Sequence, residues 1–291
     1  MKQNKVIEKL KSVHDLPTLP IVIQKVRETV ADPHKSMKEL SNVIKDDPAI
    51  MTKIMKVVNS SFYSFQDPIT SLPHAVSILG QDAIQNIAMS LTVFDSFRQI
   101  KEPSFSIMEF WTHCISVGLG ANIVFEKIDP SLKKNVTKDM LHLAGIVHDI
   151  GIITLEKYFH KEFRAILKYA SREKIPIYEA EYSILQTTHE EVGAYLAEKW
   201  LLGKEFQEVI RWHHHPHQAS ENYSTLVSVI HIADYICNFQ NIGFGKNLEV
   251  PVFYKDIWKT LGLEVSQIPE IDKSIRTEAK KSEILLALLK A

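Results

Sequence analysis

The chain has 291 residues, 45% hydrophobic and 24% charged, enough for a sizeable buried core. With 34 Lys+Arg against 35 Asp+Glu the net charge is −1, which argues against nucleic acid as the main partner, because gripping phosphate backbones calls for a basic excess. Only Cys114 and Cys237 occur, outside any C-x-x-C pair, so a disulfide framework or zinc ribbon is excluded and a reducing, cytoplasmic setting is expected.

The first residues, MKQNKVIEKLKSV, are positively charged without the apolar stretch of a signal peptide. No run reaches the roughly 20 apolar residues of a membrane span. Pro17 and Pro20 close a short N-terminal helix. In PIVIQKVRETVA, Ile21, Ile23, Val26 and Val30 build one apolar stripe at helical spacing. Similar stripes run through ELSNVIKD, AIMTKIMKVVNS, AVSILG and AIQNIAMSLTVFDSF. Asp47-Pro48 marks a helix start, with Asp46 or Asp47 at the N-cap and proline in the first turn. QIKEPSF at 99–105 is the best internal boundary, and NIGFGKNLEVP at 241–251 is a second. Period-2 alternation is nearly absent and glycines number only 10, so a sheet is not expected. The reading is an all-α protein of about a dozen helices in three parts: 1–100, 101–240 and a helical tail, 241–291.

Thirteen histidines are many for this length, and most lie between 113 and 231. In LAGIVHDIGIITLE an apolar helix arrives at His148-Asp149, followed by Gly151. Adjacent helical residues project about 100° apart. The pair therefore suits one metal approached from two directions, a carboxylate bridging two metals, or a buried hydrogen-bonded pair capping a turn. Upstream, MEFWTHCISVG carries His113 with Glu109 one turn earlier on the same face. Downstream, His189 opens an amphipathic helix in TTHEEVGAYLAEKW, and His213 and His214 end another before Pro216. Asp234 stands in the apolar helix VSVIHIADYIC, where an unpaired carboxylate is costly. Imidazole and carboxylate donors without thiolate favour iron or manganese over zinc, as one or two ions.

The order His, His-Asp, His, His-His, Asp resembles the ligand order of HD-superfamily phosphohydrolases. The N-terminal half is similar, more narrowly, to the HDOD family, through LPTLP, DDPAI, KVVNSSFY and ITSLPHAVSILG. AEYSILQTTHEEVGAYLAEKW resembles the helix around that family's third conserved position. The resemblance spans roughly residues 15–240. It implies an all-α fold with HD helices and an N-terminal helical subdomain, and metal ligands at His113, His148, Asp149, His189, His213, His214 and Asp234. Glu109 has the spacing of a further glutamate in trinuclear HD-GYP sites and equally that of a solvated helix-start residue. His142, His215, His217 and His231 match no ligand position.

Against the HD-GYP phosphodiesterases, Ile152 replaces the lysine that follows HDIG, and HPHQASENYS stands where the GYP loop belongs. Only Arg211 and Lys157 offer positive charge near the motifs. The expectation is a bacterial signal-transduction protein with a structural or sensory metal site and a protein partner. The alternative is a metal-dependent phosphohydrolase acting on a cyclic dinucleotide or another nucleotide-type ligand.

Overall fold

The computed structural model describes residues 5–13, 16, 20–60, 63, 65–245 and 248–290, with backbone alone at 281–285 and 287–290. Pro17 and its two followers in LPTLP, Ser61 and Phe62, and Lys246 and Asn247 lie outside this set.

Helices account for all the regular structure among the described residues, so the fold is all-α. In chain order they are α1 (Lys5–Lys11), α2 (Ile21–Ala31), α3 (Met37–Lys45), α4 (Pro48–Val58), α5 (Leu72–Leu79) and α6 (Gln81–Ser96). Then come α7 (Ile107–Lys127), α8 (Lys138–Val147), α9 (Ile150–Tyr158), α10 (His160–Glu173), α11 (Ile177–Leu185) and α12 (His189–Lys199). The last are α13 (Lys204–Trp212), α14 (Ser224–Phe239), α15 (Lys255–Thr260) and α16 (Ile268–Lys290). That exceeds the dozen expected, partly because one apolar stretch breaks at His148–Asp149 into α8 and α9.

The chain divides into two compact units: residues 1–16 with 100–279, and residues 17–99 with 280–291. In the second unit, α6 is buried along most of its length, from Ala83 to Phe94, and α2, α4 and α5 all pack on it. Its helix starts follow local chemistry. Ser36 and Glu39 form a reciprocal capping box at α3, and the Asp47 carboxylate accepts the Ala49 and Ile50 N–H groups ahead of α4. Asn59 clasps the loop that follows α4: its amide donates to the Ile69 carbonyl at 2.8 Å and its oxygen accepts the Ile69 N–H at 2.7 Å.

The first unit is built on α7. Thirteen of its 21 residues are buried, and both α8 and α14 lie against it. Glycines set the crossing of α7 and α8. A Cβ on Gly145 would lie 2.2 Å from the Gly118 nitrogen, and one on Gly118 would lie 2.7 Å from the His142 carbonyl oxygen. Backbones that close bring His113 and His148 together, with ring centroids 5.4 Å apart. Helices α9, α12 and α13 pack in sequence beside them, and α13 also touches α8 and α14. Residues of α15 and α16 complete this core with Ile257, Trp258, Ile271 and Ile275.

Candidate metal centre

His148 caps the end of α8, and Asp149 follows with φ −98°, ψ 16°, at the N-cap of α9. An aspartate there ordinarily accepts N–H groups of the new helix. Asp149 makes no such bond; its carboxylate turns instead toward histidines from four other positions. The break in the helix thus frees the side chain that a continuous helix would have held on one face.

Its two oxygens face two groups. Oδ2 lies 3.3 Å from His148 Nε2 and 3.8 Å from His113 Nε2. Oδ1 lies 3.4 Å from both His189 Nε2 and His213 Nε2, and those nitrogens are 3.4 Å from each other. Asp234 closes the first group, with Oδ1 3.0 Å from His113 Nε2 and 3.6 Å from His148 Nε2. His214 joins the second group, its ring centroid 4.1 Å from that of His213. All seven side chains expected from the sequence therefore converge in the first unit. Glu109 belongs to neither group; it is half-buried, and its carbonyl accepts the Phe244 N–H.

Outer contacts decide which ring nitrogen points inward. Nδ1–H of His113 donates to the Ile242 carbonyl (3.2 Å), that of His148 to the Gly145 carbonyl (2.7 Å), and that of His213 to the Val209 and Ile210 carbonyls (3.1 Å each). His189 Nδ1–H donates to Glu181 Oε2 at 2.8 Å. In each case Nε2 faces an Asp149 oxygen and offers its lone pair inward once any proton on it is lost, which is how metal-ligating imidazoles are oriented. His231, buried and outside any ligand position, donates Nδ1–H to the His213 carbonyl at 2.7 Å and so braces that residue's backbone. His217 instead pairs with Asp256 at the surface, and His215 packs on the Tyr178 ring.

The donor set fits a metal. Donors about 2.1 Å from one ion sit about 3.0 Å apart in octahedral and about 3.4 Å apart in tetrahedral geometry, and the spacings here run from 3.0 to 3.8 Å. Four of the inward atoms, His148 Nε2, Asp149 Oδ1, His214 Nδ1 and Asp234 Oδ2, are buried without a hydrogen-bond partner. Buried polar atoms normally find partners. A cluster of four orphans in one place has the chemistry of a coordination sphere.

Charge in the cluster is strongly coupled. Burial works against a charged His148, but Asp149 and Asp234 prevail and raise it to about 10. His189 likewise is raised to about 9, burial being outweighed by Glu181 and Asp149. Burial also opposes ionisation of Asp149 and Asp234, yet the facing histidines hold both carboxyls well below the usual range. His214 is pushed well down by burial and by its His213 neighbour. Burial pushes Glu181 upward while His189 pulls the other way.

Sequence reasoning missed Glu181 and Glu190, both buried beside His189. Glu181 had a signal: it follows Ile177 by four residues and Tyr178 by three, so it shares their apolar face.

A family model described as HDOD domain matches residues 16–216. The chain belongs to the HDOD family. An uncharacterised protein of Treponema pallidum (strain Nichols) is 22% identical over 228 residues, 78% of this chain and 43% of that protein, so the chain spans less than half of that relative. A crystal structure provisionally named a signal transduction protein, from Marinobacter aquaeolei VT8, superposes with TM-score 0.80 at 20% identity, over 100% of this chain and 62% of that one. An HDOD domain protein of unknown function from Geobacter sulfurreducens gives 0.73 at 24% identity, over 92% and 95%. A protein of Shewanella amazonensis SB2B, provisionally named a metal-dependent phosphohydrolase, gives 0.64 at 25% identity, over 96% of each chain. The likeness to the first two is one of fold.

Proposed function

We propose that this HDOD protein is a bacterial signal-transduction or regulatory component whose first unit holds one or two iron or manganese ions, with little or no hydrolase activity. The observation that carries the reading is the set of four buried donor atoms, on His148, Asp149, His214 and Asp234, that lack a hydrogen bond. His113, His148, Asp149 and Asp234 would hold one ion; Asp149, His189, His213 and His214 would hold the other. Ions held there supply Lewis acidity and stabilise the folded unit.

Two features weigh against turnover. The seven ligands are only 0 to 5% exposed, which leaves a phosphodiester little approach to the donors. Phosphoryl transfer also needs cations or dipoles aimed at the developing charge, each worth about 10²- to 10³-fold in rate. Among the described residues every ion pair of Asp149 and Asp234 is with histidine. Ile152 is buried in the core, Arg211 lies over Trp212, and Lys157 lies over Tyr158. The second unit would then present the surface for a protein partner, and the setting would be the cytoplasm. No helix among the described residues is long and apolar enough to cross a membrane.

Elemental analysis of protein purified without added metal or a histidine tag tests the metal. One or two equivalents of iron or manganese are expected, and less than roughly a tenth of an equivalent would sink the reading. Metal-loaded protein incubated with cyclic dinucleotides, nucleotides and simple phosphodiesters tests catalysis. Multiple turnover abolished by Asp149→Ala would establish the phosphohydrolase alternative instead.

A further inference from the structure

Among the histidines that face Asp149, four use Nδ1–H as an outer hydrogen-bond donor, and three of those four donate to neutral backbone carbonyls. His189 alone donates to a carboxylate. Glu181 Oε2 accepts His189 Nδ1–H at 2.8 Å and the His189 backbone N–H at 2.7 Å. One oxygen therefore fixes both the ring and the first turn of α12, whose N-cap Thr188 supplies no side-chain bond. Glu181 is 0% exposed, and it forms an ion pair with His189.

Capping alone does not require this arrangement. Ser, Thr or Asn caps a helix without burying charge, whereas a buried carboxylate is costly unless positive charge lies close by. That positive charge can sit on the His189 ring itself, 2.8 Å away, or on an ion that the ring holds in place of its proton. The group around His113 and His148 has the closer hold on Asp234, whose Oδ1 lies 3.0 and 3.6 Å from their Nε2 atoms, and shares Asp149. The group around His189, His213 and His214 shares Asp149, meets Asp234 only through Oδ2 at 3.7 Å from His214, and is otherwise built of imidazoles, which are neutral once an ion has displaced any proton they carry. Glu181, one hydrogen bond behind His189, brings this second group a carboxylate nearer than the 3.7 Å contact between His214 and Asp234 does.

Resting on the metal-binding reading above, we propose that Glu181 is a positioning residue that makes the His189 subsite able to hold a second divalent ion. It locks Nε2 of His189 toward Asp149 Oδ1 and His213 Nε2, and it balances the charge of an ion bound there. Without it the protein is a one-ion protein.

The test is stepwise titration of metal-free protein with Co(II), followed by visible absorption and by stoichiometry from elemental analysis, with Mn(II) as a second probe. Wild type is expected to take up two ions. Glu181→Gln keeps the shape and an acceptor oxygen but removes the charge; it should bind the second ion about 10- to 100-fold more weakly, with the first changed by no more than about threefold. The Co(II) bands of the His189 subsite should fade while those of the other persist. Glu181→Asp, which restores the charge, should recover part of the second affinity. Two unchanged affinities in Glu181→Gln overturn the proposal. So does equal weakening of both ions together with a less stable metal-free fold, since that is what a purely structural cap would produce. Should Glu181→Gln not fold, a folded Glu181→Asp that has lost the second ion entirely also overturns it. A wild type that takes up one ion refutes this inference alone, whereas one that takes up none refutes the metal-binding reading itself.

Discussion

Gly151 provides the most direct test of how the first unit is built. A Cβ on Gly151 would stand 1.8 Å from the His189 carbonyl oxygen, 2.6 Å from its carbon and 2.9 Å from the Gly193 nitrogen. Every one of those atoms is backbone, so no side chain can swing aside. Ordinary contact begins at 3.4 Å, so in Gly151→Ala the start of α12 must retreat from α9 by roughly 1.6 Å, beyond what a close-packed interior absorbs without cost. Overpacking costs about 1 to 3 kcal/mol where side chains can adjust; with backbone on both sides the upper figure applies. For a unit of about 200 residues that is a fall in Tm of roughly 6 to 12 °C. The same retreat carries His189 Nε2 away from Asp149 Oδ1, now 3.4 Å distant, so the second donor group opens. The assays are thermal unfolding in chelator and elemental analysis of the purified variant. A Gly151→Ala protein that melts within about 2 °C of wild type and keeps its full metal content would refute the packing argument.

Asp149→Ala removes the carboxylate shared by both donor groups and should strip nearly all bound metal; chelator should lower the Tm of wild type but leave that of the variant unmoved, since a ligand of the folded state alone stabilises it by about 2.7 kcal/mol at a hundredfold excess over Kd. Metal uptake should strengthen as pH rises, because His148 and His189, raised to about 10 and about 9 in the metal-free protein, carry protons at neutral pH that an ion must displace; calorimetry in buffers of different ionisation enthalpy reads the released protons, and none released would contradict the assignment. The same raised values set the stability of metal-free protein. Their contribution is fully present below pH about 6.5, the unfolded value, and is lost as pH rises through about 9 to 10, so urea midpoints in chelator should decline across that window. In the second unit, Ser36→Ala removes the capping box of α3 and should cost about 1 kcal/mol in urea unfolding with metal content unchanged; a loss of metal would show the units to be coupled.

The inward-facing residues were legible because each stands among apolar neighbours at a helix end or in a buried helix, where a histidine or aspartate is conspicuous. The helical class followed from the spacing of residues such as Ile23 and Val26, both buried in α2. Less was readable about what surrounds the ligands. Backbone carbonyls of Ile242, Gly145 and Val209 orient three of the rings, and a carbonyl leaves no mark in a residue code. Ile242 is also 129 residues from His113, so only tertiary folding brings them together. Glu181 was hidden for another reason: in IYEAEYSIL it resembles the exposed Glu179 two residues earlier, and only its three- and four-residue spacing from Tyr178 and Ile177 distinguishes it. The division of the ligands into two groups depends on which oxygen of Asp149 faces which ring, a matter of side-chain rotation that the break between α8 and α9 determines.

The near-complete enclosure of the seven candidate ligands has a kinetic consequence for the proposed metal. An ion held there as proposed would leave only when α7, α8, α12, α13 and α14 part, so its exit rate would be bounded by local opening of a well-packed core. Exchange with the surroundings is then slow compared with ligand exchange at an open site. Occupancy would record the metal supply when the chain folded and not follow it from minute to minute.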